Sequence, residues 1–304
     1  MALLVEGRKL LFCGETAEEN RKWYLYLVCK NAELSYLRKL KHTNQLADNT
    51  LLSFLEQPRS REIKLDNNTL SIDSIVALTG PIRSHDMLTH ISLRYANLND
   101  LAISTLCEAI KVSNAIERLD LEGNQITSDG AKSIASVLSS ISSLKILILK
   151  ENKIGDEGTM HIANVLQQAT SKLEQLDLTH NNIHSRGAIA LSTALVFTTV
   201  LPEVMLDDNR IGNEGATALM QLCQKNATIF TLRLQNNNIT QPGIFAIAEA
   251  LKTNTSLKRL YLSYNTMDLD SYKAIIKTIM VFIFLNYYCI VLRMQINPIF
   301  IYLD

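Results

Sequence analysis

Six histidines, five cysteines and thirty carboxylates are the side chains of this 304-residue chain from which a metal centre or a nucleophile would have to be assembled. A zinc site needs three or four ligands converging from short, regular spacings such as paired C-x-x-C or H-E-x-x-H runs. His42, His85, His90, His161, His180 and His184 do not fall at such spacings, and His180 and His184, four apart, straddle a turn rather than one helix face. Cys13, Cys29, Cys107, Cys223 and Cys289 are odd in number and widely separated, which indicates free thiols in a reducing, cytoplasmic setting. No phosphate loop, no G-x-G-x-x-G after a strand and no nucleophile elbow occurs. The expectation is a chain without catalytic residues, metal or cofactor, its carboxylates sitting on solvated strand and helix positions. Thirty basic residues balance the thirty acidic ones, so no overall field draws it to nucleic acid. Its apolar opening is broken by Glu6, Arg8 and Lys9 before a signal sequence could form. Sequons at Asn67, Asn226, Asn238 and Asn254 are what an Asn- and Thr-rich repeated turn produces by chance.

What does recur is L-x-x-L-x-L-x-x-N-x-I, from about residue 60 to 270. Ile116-Leu119-Leu121-Asn124-Ile126 and Leu144-Leu147-Leu149-Asn152-Ile154 are clear copies. Others end on Asn181, Asn209, Asn237 and Asn265, the series opens at Asn68, and Ala96 replaces the asparagine in the second unit. The steps are 28 residues except for one of 29, between Asn152 and Asn181. The x-L-x-L core alternates as a half-buried strand does. The asparagine falls where the chain turns away, and its amide can satisfy buried backbone groups, so Asn68, Asn124, Asn152, Asn181, Asn209, Asn237 and Asn265 are expected to form a structural column. Gly130, Gly158, Gly187, Gly215 and Gly243 are each followed by apolar residues four and eight positions later, the spacing of a helix face. Each unit is therefore strand, turn, helix. One unit cannot bury its own apolar face, so about eight stack as an α/β solenoid, a horseshoe with a parallel sheet inside and helices outside.

Units of this length and consensus resemble the ribonuclease-inhibitor-like class of leucine-rich repeats, shared by the repeat regions of NOD-like receptors and by Ran GTPase-activating proteins. The resemblance covers residues 60–275 and implies a macromolecular, protein partner on the concave face. Two functional alternatives accompany it: activation of a small Ran-like GTPase, whose family's acidic carboxy-terminal run is absent here, and a membrane-tethered repeat protein. Nuclease inhibitors of this class are cysteine-rich and strongly acidic, unlike this chain. The nucleotide-binding domain of NOD-like receptors has no counterpart motif in these 304 residues.

Residues 1–59 are expected to form a helical cap, with a capping box Thr16-x-x-Glu19, an apolar face of Trp23, Tyr26, Leu27, Leu34, Leu37 and Leu40, and a short second helix from Thr50 to Glu56. Residues 276–304 read either as a degenerate last repeat with Leu285, Tyr288 and Ile290 in strand positions, as a membrane-associating tail over 279–303, or as an aberrant chain end. The strand residues expected to face outward include an acidic stretch, Asp120, Glu122, Asp177, Glu203, Asp207 and Asp208, broken by an exposed pair, Ile146 and Ile148. Ile146, Ile148, Met205, Arg233, Arg259, Tyr261 and Tyr264 are the candidate partner-binding residues, being the apolar, aromatic and arginine types from which interface hot spots are made.

Overall fold

In a computed structural model of the chain, every unit has a three-residue strand centred on the first leucine position of its x-L-x-L core, and the strands stack in chain order. The structure describes residues 2–5, 8–11, 17–43, 49–56, 60–113, 115–168, 172–254 and 256–286. Strands β1 (Ala2–Val5) and β2 (Arg8–Leu11) form an antiparallel hairpin, followed by helices α1 (Ala17–Thr43) and α2 (Asn49–Glu56). Then come eight strand–helix units: β3 (Glu62–Lys64) and α3 (Ile72–Ser84), β4 (His90–Ser92) and α4 (Asp100–Ile110), β5 (Arg118–Asp120) and α5 (Ser128–Ser140), β6 (Ile146–Ile148) and α6 (Gly155–Leu166). The remaining four are β7 (Gln175–Asp177) and α7 (Ser185–Leu195), β8 (Glu203–Met205) and α8 (Gly212–Lys225), β9 (Thr231–Arg233) and α9 (Gln241–Leu251), β10 (Arg259–Tyr261) and α10 (Leu269–Asn286). β3 to β10 make one parallel sheet in sequential order, so each crossover returns beside the strand it left and the helices share the opposite face. This is the α/β horseshoe. Helices are wider than strands, and the stack curves with the sheet inside.

The register matches the repeat: Ile63, Ile91, Leu119, Leu147, Leu176, Val204, Leu232 and Leu260 pair in one continuous row and are all buried. Ile134, Ile162, Leu191, Leu219 and Ile247 line the helical side of the same core. Each such side chain contributes about 1.5–3 kcal/mol when fully buried, but only if a neighbouring unit covers it.

The turns are held by asparagine. Asn124 donates to the carbonyls of Leu93 (2.9 Å) and Leu121 (2.9 Å), one in the preceding unit and one in its own, and accepts from the N–H groups of Ala96 and Leu98. Asn152, Asn181, Asn209, Asn237 and Asn265 each reach back in the same way to Leu121, Leu149, Leu178, Leu206 and Leu234. Asn68 differs from the expected column. Half-buried, it donates only to Asp66 O of its own turn, because the bridge runs backward and among the described residues no strand of this sheet precedes β3. At Ala96 the bridge is missing, and Leu70 N bonds to Ala96 O directly.

A second set of cross-repeat bonds caps the helices. Thr127, His184 and Thr240, extended at the starts of α5, α7 and α9, make no side-chain cap of their own. The cap comes from the previous helix: Asp156 Oδ1 accepts from His184 N (2.8 Å) and Gly187 N (2.9 Å), Asp100 does the same for Thr127 and Gly130, and Asn213 for Thr240 and Gly243. A Cβ at Gly187 would sit 2.6 Å from that Asp156 oxygen, which is why glycine stands there.

Ahead of the array, α1 lies on α3, joined by Tyr36–Ser74 (3.1 Å) and Lys39–Asp73 (2.5 Å). Its inward face is Leu25, Cys29, Ala32, Tyr36 and Leu40. This corrects the expected face, since Tyr26, Leu34 and Leu37 are exposed; α1 is apolar on more than one side, so periodicity alone does not choose. Thr16 lies outside the described residues, and nothing is described of the Trp23 side chain. At the other end Leu285, expected at the opening of a further strand motif, is inside α10, while Tyr288 and Ile290 lie outside the described residues. Among the described residues no helix is long and apolar enough to cross a membrane.

Candidate partner-binding surface

Because the register advances by one repeat per strand, the inner face of the sheet is a grid with one residue type per row and strand. The row through the last strand residues runs Lys64, Ser92, Asp120, Ile148, Asp177, Met205, Arg233, Tyr261. Beyond the strands a second row runs from Asp66 through Arg94, Glu122, Lys150, Thr179 and Asp207 to Gln235. A third, immediately before the asparagines, runs from Asn67 through Tyr95, Gly123, Glu151, His180, Asp208 and Asn236 to Tyr264, all with positive φ.

Charges pair across the grid at both ends. Glu122, 5% exposed, takes Arg94 and Lys150 (2.8 Å), and the Tyr95 hydroxyl bridges Glu122 (3.0 Å) and Glu151 (3.1 Å). Burial alone would raise the Glu122 carboxyl; hydrogen bonds from Lys150 and Tyr95 and the charges of Lys150 and Arg94 hold it below its ordinary value. Burial and the two carboxylates push the Tyr95 phenol up to about 12. At the other end Arg233 bonds Asp207 (2.5 Å) and lies over the Tyr261 ring at 5.0 Å, while Arg259 reaches Glu203 (2.7 Å) and Thr231 (2.9 Å).

The acidic stretch is therefore not the open surface the sequence suggested: Asp120, Glu122, Asp177 and Asp207 are buried, covered by neighbours 28 residues away that concavity draws together. The same holds for Ile148. It is only 9% exposed, flanked by Asp120 and Asp177 on adjoining strands, so of the expected exposed pair Ile146 alone is half open. Met205, Arg233 and Tyr264 share one depression with Asp177 and Asp208, and Tyr264 is 67% exposed. Tyr261 joins them through Arg233. Ile146 and Arg259 stand in one row but four strands, about 19 Å, apart. Among the described residues no group of histidine, cysteine and carboxylate side chains is arranged to hold a metal. Cys29, Cys107 and Cys223 are free and buried, their thiols pushed up to about 12 by desolvation.

Sequence reasoning missed Asn226 and Asn254, both buried, which bind Leu195 O (2.7 Å) and Cys223 O (2.5 Å) at the ends of the helices. Their 28-residue separation was the available signal, read instead as chance sequons.

A model of the leucine-rich repeat matches residues 112–135, 140–163, 171–192, 201–220 and 225–248. The chain carries leucine-rich repeats over these segments. Its repeats are of the ribonuclease-inhibitor-like kind, and the sheet register carries them beyond the matched segments to β3 and β10. The chain is 29% identical over 146 residues to protein NLRC5 of Ictalurus punctatus, covering 45% of itself and 8% of that protein. With NLRC5 of Homo sapiens it shares 33% over 109 residues, 34% of the chain and 6% of the relative. With leucine-rich repeat-containing protein 45 of Gallus gallus it shares 28% over 179 residues, 59% and 25%. The chain thus spans less than a tenth of either NLRC5 and a quarter of the third relative. Among solved structures an internalin from Listeria monocytogenes aligns at 18% identity with a TM-score of 0.43, over 75% of this chain and 68% of that one.

Proposed function

We propose that the chain is a protein-interaction module of the NOD-like-receptor repeat type, a scaffold or sensor that holds a protein partner against the concave sheet. The observation that carries this reading is the single rigid grid on which Ile146, Met205, Arg233, Tyr261 and Tyr264 are displayed, held in place by backbone pairing, the asparagine column and cross-repeat ion pairs. Such a surface loses little conformational entropy on binding, since its side chains are already ordered by their neighbours. Aromatic and arginine side chains around a partly apolar centre are the composition of energetic hot spots. The resemblance to part of NLRC5 supports an interaction role without naming the partner.

A photo-crosslinking amino acid placed at Met205 and, as a control, at exposed Glu214 on α8 tests this in whole-cell lysate. Specific protein crosslinks are expected at position 205 and not at 214, and Ile146→Glu should remove them while leaving the melting temperature within a few degrees. Crosslinks confined to 214, or indifferent to Ile146→Glu, would overturn the reading.

A further inference from the structure

The concave face is not uniformly neutralised. Every cation that faces the depression beside β7 and β8 is already engaged: Lys150 by Glu122 (2.8 Å) and Glu151 (3.2 Å), Arg233 by Asp207 (2.5 Å). Among the described residues neither Asp177 nor Asp208 forms an ion pair, and Lys150, whose charge is felt at Asp177, is itself bonded to Glu122 and Glu151. Asp177 receives hydrogen bonds only from Thr179, the backbone N–H at 2.9 Å among them, and Asp208 receives one from the side-chain amide of Asn236 at 2.9 Å. All these donors are neutral. Asp177 is 91% buried, by the 9% exposure of its surface, and stands between Ile148 and Met205 on the neighbouring strands, so an ionised group is flanked by apolar side chains on both sides. A carboxylate so placed has lost much of its hydration, while its lone pairs still exceed its donors.

Resting on the concave-face reading above, we propose that this depression takes an arginine side chain of the protein partner, flanked by an apolar residue, with the guanidinium between Asp177 and Asp208. The depression is lined by three carboxylates, Asp177, Asp207 and Asp208, against two cations, Lys150 and Arg233, and one guanidinium balances the difference. Arginine fits better than lysine because its planar fork donates in two directions at once and its face stacks on an aromatic ring, which exposed Tyr264 supplies at the rim. The aliphatic stem lies along Met205, and the flanking apolar residue meets the half-open Ile146. The apolar flanks of Asp177 keep competing water away and strengthen the ionic contact.

The probe is the capped pentapeptide acetyl-Ala-Leu-Arg-Leu-Ala-amide, titrated into the isotope-labelled full chain and followed by the amide resonances of Thr179 and Gln235. Saturable shifts centred there are expected. Replacing arginine by citrulline, which keeps shape and removes charge, should weaken binding by at least about tenfold, as should the double variant Asp177→Asn, Asp208→Asn. Both substitutions are isosteric, and asparagine accepts the positive φ at 208, so the variant should melt no lower than the parent. No saturable shift at millimolar peptide, equal affinity for the citrulline peptide, or unchanged binding by the double variant would overturn the inference. A crosslinked partner that is lost on Ile146→Glu but kept by the double variant would overturn it while leaving the concave-face reading standing.

Discussion

The ring of Tyr95 lies over Gly123, one repeat further on, closely enough that a β-carbon at 123 would sit 2.1 Å from a ring carbon. Both residues have positive φ, +51° and +70°, as has every residue that precedes a column position. Gly123 alone in that row has no side chain, and the space is what lets Tyr95 cross it and reach Glu151 two repeats away. Gly123→Ala must displace the ring and also place a side chain in the left-handed region, for a combined loss of about 2–3 kcal/mol. In a Tyr95→Ala background only the backbone part remains, about 1 kcal/mol. A double-mutant cycle by denaturant unfolding checks this; equal losses in both backgrounds would show that ring and glycine are uncoupled.

Asn152 satisfies two buried carbonyls, Leu121 O and Leu149 O, and the N–H of Ile126. Alanine at 152 leaves these groups without a partner in a place water does not enter, and the expected loss is about 2–4 kcal/mol. Asn68→Ala should cost well under 1 kcal/mol, because Asn68 makes only one local bond at the array's half-buried first turn. Similar losses at the two sites would refute the view that bridging between repeats, rather than the asparagine itself, provides the stability.

The period of the array was legible because strand alternation, helical spacing and the turn asparagine repeat together, and three coincident signals leave no other register. Which residues face outward was legible too, but not which of them are open. Ile148 points to the concave side as expected and is nonetheless covered, because side chains on a concave sheet converge and the identity of a residue's neighbours 28 positions away decides its exposure. The caps from Asp100, Asp156 and Asn213 escaped notice for a related reason: each serves a helix in the following repeat, so no local capping pattern announces it. The hairpin of β1 and β2 likewise had no signal beyond a Glu6-Gly7 step between two apolar pairs.

Asp177 and Glu122, two buried carboxylates of one face, should respond to pH in opposite senses. Burial raises the Asp177 carboxyl above its ordinary 3.8; the hydrogen bonds from Thr179 and the charge of Lys150 oppose this, and Asp207 adds to it. A carboxyl raised in the folded state stabilises the fold below its unfolded value, and that contribution is lost as pH rises through the folded value. Asp177→Asn should therefore be more stable than the parent at neutral pH, with the difference vanishing below about 3.8. Glu122 is held below its ordinary 4.5, so its contribution is present above 4.5 and disappears as pH falls through the folded value. Glu122→Gln should cost about 1–2 kcal/mol at neutral pH, a figure reduced because Arg94 and Lys150 are each more than a third exposed, and progressively less in acid. Melting temperatures of the parent and both variants between pH 7 and pH 3 decide the matter. A destabilised Asp177→Asn at neutral pH would mean that its charge is met by a cation, and would remove the surplus on which arginine recognition depends.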